Sequence, residues 1–253
     1  MARIHPTAVV STRAELDDSV EVGPFAIVDA GVHIGAGTRL HGHAVVTGRT
    51  SLGARNVVHP FAVVGGEAQI KKRDATSAPG ALVIGDDNVF REHVTVNVSS
   101  GHEPTRIGSH NLLMAGCHVA HDVVLGSRCV VANGVQLAGH VRVDDWTTFG
   151  GGAAVAQFVR VGESAFVAGG AMCESNVPPF VIVQGDRARV RALNLVGLER
   201  RGIPDASIAA LKRAFAVLYV RRGLFSQAIA SLDRTDPFVD ALAKALGPPS
   251  RSG

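Results

Sequence analysis

The residues best suited to chemistry lie in one stretch, His118-Val119-Ala120-His121-Asp122, which sets two imidazoles and a carboxylate within five positions. An imidazole beside a carboxylate is the usual make-up of a general base and the group that orients it. Eighteen residues beyond His121 stands Gly139, followed by His140, and eighteen beyond Gly139 stands Gln157. If those spacings become alignment, an imidazole, a backbone amide and a carboxamide share one edge, which suits proton abstraction beside an oxyanion donor. The same histidines support two other readings. His118, His121 and His140 with a water could bind zinc as a γ-type carbonic anhydrase does, or the edge could be a polar corner that only solvates the fold. His5, His33, His41, His43 and His59 occupy outward positions where a solvated imidazole needs no further role.

What would align them is a repeat. From Ile4, every sixth residue is aliphatic: Val10, Leu16, Val22, Val28, Ile34, Leu40, Val46, Leu52, Val58, Val64 and Ile70. A short series follows at Ile84, Phe90 and Val96, and a long one runs from Ile107 to Cys173 with no polar residue. Two positions earlier the residue is small or branched, as at Ala26, Ala44, Cys117, Cys129 and Ala153; one position later it is often glycine. A helix repeats every 3.6 residues and a strand every two, so a period of six means a short strand and a corner. Glycine is expected at those corners to supply a positive φ. Three such hexads close one triangular coil, residues 18 apart stack, and the chain predicts a parallel β-helix of about nine coils.

Composition agrees. Among 253 residues, 46% are hydrophobic and 19% charged, with 29 glycines and only 5% aromatics. That excludes a disordered chain, and no uninterrupted apolar stretch is long enough to span a membrane. The first residues lack an apolar leader, and three cysteines cannot form a fully paired framework, so a cytoplasmic location is expected. Cys117, Cys129 and Cys173 fall in inward columns and are expected to be buried and inert. The period breaks at 71–83 and 97–106, both polar and rich in turn formers, and insertions in a solenoid become loops near binding surfaces. After Val177-Pro178-Pro179-Phe180 the period ends; helical spacing appears from Pro204-Asp205, with Gly223 as a stop and Asp236-Pro237 as an N-cap. The expected domains are a β-helix over 1–183 and a helical appendage over 184–253. The net charge of +3 gathers in arginines of the last third, but no recognition helix or aromatic platform accompanies them, so nucleic acid is not expected as a partner.

The stretches Asn111-Leu112-Leu113-Met114, His118-Val119-Ala120-His121-Asp122, Leu137-Ala138-Gly139-His140-Val141, Gln157-Phe158, Val177-Pro178-Pro179 and Gly197-Leu198-Glu199-Arg200-Arg201-Gly202 together resemble the UDP-N-acetylglucosamine O-acyltransferase family. The resemblance covers almost the whole chain. It implies a left-handed β-helix, a homotrimer, and transfer of a 3-hydroxyacyl chain from acyl carrier protein to the sugar 3-hydroxyl, the first step of lipid A synthesis. By that resemblance His121 is the general base, Asp122 its orienting partner and the Gly139 amide the oxyanion donor. Lys72, His118, His140, Gln157, Asn194, Arg200 and Arg201 match sugar-nucleotide contacts, and Gly169 matches the position that tunes acyl length. No metal, cofactor or membrane insertion is implied, and the basic tail suits an acidic carrier protein.

Three positions depart from the family pattern. Ala156 stands where histidine usually precedes Gln-Phe, Ile70 where an aspartate precedes the lysine, and Asn97-Val98-Ser99-Ser100 where a basic His-Arg-Gly-Thr-like stretch is usual. All three bear on the acceptor or acyl side, so a 3-amino sugar acceptor stays open. A coenzyme A-dependent acetyltransferase and a non-catalytic scaffold are the other readings.

Overall fold

A computed structural model describes residues 1–71, 80–221 and 224–247. Short strands, most of two residues, alternate with tight corners and stack into three sheets of eleven, nine and eight strands, here faces I, II and III, parallel except for the last strand of face I. Each coil contributes one strand to each face, and the register is the expected one: His118 pairs with Gln136 and Gln136 with Ala154. The aliphatic column points inward, with Val28, Val46, Val64, Leu113, Leu137 and Val167 at most 1% exposed. The small column fills the space between, and Cys117, Cys129 and Cys173 are free and buried. Burial pushes the Cys129 thiol up to about 12 and the Cys173 thiol up to about 11, so neither is a thiolate near neutral pH.

The glycine expectation needs correction. Of the glycines that follow the aliphatic column, Gly65 alone has a positive φ; the left-handed corner residues are mostly others, among them Phe25, His43, Arg55, Phe61, Asp122 and His140. Glycine is needed at Gly35 and Gly108 for a different reason. A Cβ there would lie 2.7 Å from the backbone of the next coil, from the Gly53 carbonyl carbon and the Gly126 oxygen respectively. The coils touch at these points, and only a missing side chain lets them.

Inside edge III/I runs a buried polar ladder. The Asn88 N–H and Nδ2–H both donate to Asn56 Oδ1 at 3.0 Å, the Asn111 N–H donates to Asn88 Oδ1, and the Cys129 N–H to Asn111 Oδ1. Every rung satisfies a backbone donor of the next coil, so these amides can be buried at little cost.

Ile70 does not fill a hexad slot: the hexad strands stop at Val63–Gly66, and Ile70 is half-buried in the loop beyond. Both insertions leave from edge II/III, the first after Val63–Gly66 and the second after Thr95–Asn97. Much of the first insertion, including Lys72, lies outside the described residues.

The prism also runs further than the period. Val181–Gln184 extends face I in parallel and Arg189–Leu193 returns antiparallel on it, so the segment expected to be helical begins with a strand. Helices α1 (Leu195–Arg201), α2 (Asp205–Phe215), α3 (Phe225–Ala230) and α4 (Pro237–Leu246) follow, with a π-helical turn Ala216–Val220 prolonging α2. Asp236 caps α4 by accepting from the Phe238 and Val239 amides, as its sequence signature requires. Gly223 lies outside the described residues. Among the described residues no helix is long and apolar enough to cross a membrane.

Candidate functional site

His118–Val119 is a strand of face II, and Val124–Leu125 is the next strand, on face III. The corner between them holds His121 and Asp122, with Asp122 at φ 60°. One coil on, Gly139 and His140 repeat the turn, then Gln157 and Phe158, with φ 62° at His140 and 66° at Phe158. The His140 N–H donates to the His121 carbonyl at 3.1 Å and the Phe158 N–H to the Gly139 carbonyl at 3.3 Å. The 18-residue arithmetic therefore becomes alignment along edge II/III.

His121 is only 6% exposed, yet it belongs to no inward column and lines an open cavity of about 520 Å³ on face II. His118, Gly139 and Gln157 line the same cavity, together with Gln69, Gln136, Ala156, Met172, Glu174 and Asp186. The His121 ring lies over Gly139: a Cβ there would be 2.7 Å from its Cε1 and 2.9 Å from its Nε2. Its Nδ1 is 2.7 Å from Asp122 Oδ2. That bond to a carboxylate assigns the proton to Nδ1 and leaves the Nε2 lone pair for chemistry. Burial pushes the Asp122 carboxyl up, but hydrogen bonds from Ser100 and His121 and the nearby His140 charge outweigh it and hold it below the usual carboxylate range. Burial, and then the His121 charge, push His118 below the ordinary imidazole value.

His118 does not join a three-histidine metal set; its Nδ1 is 2.8 Å from the Thr95 hydroxyl. The donors gathered most closely are His121, Asp122 and His140, all within 4.8 Å of one another. The Asp122 oxygens are already engaged by donors of Ser100 and His121. His140 stands 3.6 Å from Asp122 Oδ2, edge-on to His121 and stacked on Phe158 at 4.7 Å.

The remaining expected contacts lie elsewhere in the chain. Asn194 is buried as the N-cap of α1, accepting from the Gly197 amide and donating to the Ser164 carbonyl. Arg201 donates to the Ser164 hydroxyl at 2.9 Å, pairs with Glu163 at 2.5 Å and lies near the rings of Trp146 and Phe238. Both are near edge III/I, while Arg200 beside them is exposed. Gly169 is exposed on edge I/II, across face II from His121. Thr95, Thr105 and Gln69 were not singled out from the sequence, and Ser100, expected with its stretch to bear on the acceptor or acyl side, instead donates to Asp122. The second insertion puts Thr95 23 residues from His118, so the 18-residue rule could not pair them. Asn97, one of the departures, is 5% exposed, and its Oδ1 has no hydrogen-bond partner among the described residues.

Comparison with known proteins gives a consistent picture. Residues 176–252 match a family model described as UDP N-acetylglucosamine O-acyltransferase, domain 2, and residues 104–139 match the bacterial transferase hexapeptide model. An acyl-[acyl-carrier-protein]–UDP-N-acetylglucosamine O-acyltransferase of Janthinobacterium sp. (strain Marseille) is 44% identical over 88% of this chain and 85% of its own. One from Pseudomonas putida (strain W619) is 40% identical over 97% and 96%. The solved structure of LpxA from Acinetobacter baumannii superposes with a TM-score of 0.89 at 33% identity, covering 96% of this chain and 95% of that one. The prism is accordingly a left-handed parallel β-helix.

Proposed function

Because this chain belongs to the UDP-N-acetylglucosamine O-acyltransferase family, we propose that it transfers a 3-hydroxyacyl chain from acyl carrier protein to the 3-hydroxyl of UDP-N-acetylglucosamine, opening lipid A synthesis. The observation that carries this reading is the His121–Asp122 pair, bonded at 2.7 Å and set over Gly139 at the wall of a 520 Å³ cavity.

In this reading His121 Nε2 takes the proton of the sugar 3-hydroxyl as that oxygen attacks the thioester carbon. Asp122 stabilises the imidazolium, and the buried Gly139 amide, which has no hydrogen-bond partner among the described residues, receives the developing oxyanion. Collapse expels the carrier's thiolate, which recovers the proton from His121, leaving an ester and a free thiol. Acid–base catalysis of this kind contributes ~10²–10⁴-fold and an oxyanion donor ~10²–10³-fold. The test is thioester consumption by purified protein with UDP-N-acetylglucosamine and acyl carrier proteins of several chain lengths. His121→Ala should lose at least ~10²-fold in kcat; full turnover in that variant overturns the assignment. A parallel arm with the 3-amino sugar addresses the acceptor, since Ala156 leaves the cavity wall open where a histidine is usual.

The remaining contacts fit a homotrimer. Outward positions on face I are charged in the first coils, at Arg3, Glu21 and Arg39, and then mostly apolar, at Val57, Val89, Leu112, Val130 and Phe166. Face II carries Val9, Ile27, Val45, Val63 and Ala154, with Thr95, His118 and Gln136 in the coils of the site. Face III is more polar, carrying Glu15, His33, Ser51, Arg106, Arg142 and Arg160 with Val83 and Val124 among them. Edge I/II between the apolar faces carries a stack of Phe25, His43, Phe61 and His93, with ring centroids 5.1 to 5.3 Å apart. Turning that edge toward a three-fold axis covers both apolar faces by packing face I of one copy on face II of the next. Edge III/I of the neighbour, with Asn194, Arg200 and Arg201, then meets edge II/III with His121. Lys72, His118, His140 and Gln157 complete the proposed sugar-nucleotide site, and face II leads the acyl chain toward Gly169. We assign transfer to 1–183 and carrier docking to the basic appendage, 184–253, and place the protein in the cytoplasm.

A further inference from the structure

Asp122 is gripped from both ends of one loop. The Ser100 N–H donates to its Oδ1 at 3.1 Å and to Oδ2 at 3.3 Å, while the Ser100 hydroxyl donates to Oδ2 at 2.5 Å. At the other end, the Thr105 hydroxyl accepts the Asp122 N–H at 2.8 Å. The loop is itself anchored: the Ala81 N–H donates to Ser99 Oγ at 3.1 Å, and Ser99 Oγ donates to the Gly101 carbonyl at 3.2 Å. The second insertion is thus tied to the prism directly beside the residue that holds the base.

We propose that Ser100 is a positioning residue for acyl transfer: its amide and hydroxyl fix the plane of the Asp122 carboxylate and keep it ionised, and Asp122 in turn aims His121. This rests on His121 being the base. Oδ2 is shared between the Ser100 hydroxyl and His121 Nδ1, with His140 Nε2 a third neighbour at 3.6 Å. Without the hydroxyl, the carboxylate keeps one neighbouring amide and can rotate about its Cβ–Cγ bond, so the imidazole loses its fixed aim. Ser100 does not line the cavity, so its loss acts on the chemical step and not on substrate binding.

The experiment uses the full chain with Ser100→Ala and Ser100→Thr. A carbon-detected titration of the Asp122 carboxyl needs no substrate, and steady-state kinetics across pH give kcat, KM and the acid limb. For Ser100→Ala we expect the carboxyl midpoint and the acid limb to move to higher pH. We also expect kcat to fall about tenfold with KM within about twofold. Ser100→Thr, which keeps both donors, should restore all three, and Ser100→Ala should add no further loss in an Asp122→Asn background. An unmoved carboxyl midpoint in folded Ser100→Ala, or equal losses in the Ala and Thr variants, overturns the proposal. If the midpoint moves but the wild-type protein does not acylate the sugar, the hold on Asp122 stands and the reaction assigned above falls.

Discussion

At residue 139 the space available for a side chain has already been taken by His121. A methyl group there would sit 2.7 Å from His121 Cε1 and 2.9 Å from its Nε2, so the ring itself must give way. Gly139→Ala should therefore push the imidazole off its line to the acceptor and cost on the order of 10²-fold in kcat. The thermal midpoint should change little, because the ring can move out into the open cavity; kcat and melting measured on one preparation decide it. His118 carries a second prediction. Its pKa is depressed, so the folded chain binds fewer protons than the unfolded one, and stability rises with pH up to the ordinary value of 6.5. His59 is depressed in the same sense, by burial first and by His41. The melting temperature should fall as pH drops below that value, and His118→Gln with His59→Gln should flatten the fall; an unchanged slope in the double variant contradicts it. The aligned triad of His121, Gly139 and Gln157 was legible because an unbroken period converts spacing into position. Thr95 and the role of Ser100 were not, since each insertion resets that arithmetic; the departure at 97–100 marked the stretch but not its contact with Asp122.

At the level of elements, strands of two residues have little stability alone, and the coil-to-coil contacts at the corners hold the prism together. That explains why the glycine column was read correctly as necessary and wrongly as a source of positive φ. A sequence records that a side chain is missing, not whether backbone angle or a neighbouring backbone demanded it. The outward strand positions tell more about assembly. In the proposed trimer, the mostly apolar rows of faces I and II, against the more polar row of face III, put edge I/II where copies would converge. Phe61, 51% exposed and stacked between His43 and His93, is at its centre. Phe61→Glu should break the assembly into monomers, because three buried carboxylates would meet near the axis. Light scattering checks this, and a Glu15→Gln control on face III should leave the mass unchanged.

For the whole molecule, the decisive question is why a chain that holds His121, the proposed base, at one edge keeps its arginine pair at another. Sequence resemblance grouped Arg200 and Arg201 with His121. Within one chain Arg201 is committed to Glu163, Ser164 and Trp146, and only Arg200 is free to reach outward on the exposed side of α1. A site shared between neighbours removes the conflict, with Arg201 holding the appendage against the prism and Arg200 reaching the next copy's cavity. Two inactive variants should then rescue each other. In trimers mixed from His121→Ala and Arg200→Glu chains, chance places an intact histidine against an intact arginine in about a quarter of sites. Co-expressed protein should recover activity toward that fraction, whereas each variant alone stays inactive. Turnover in the mixture no higher than in the separate variants would mean that base and arginine act within one chain, and the packing of face I on face II would have to be given up.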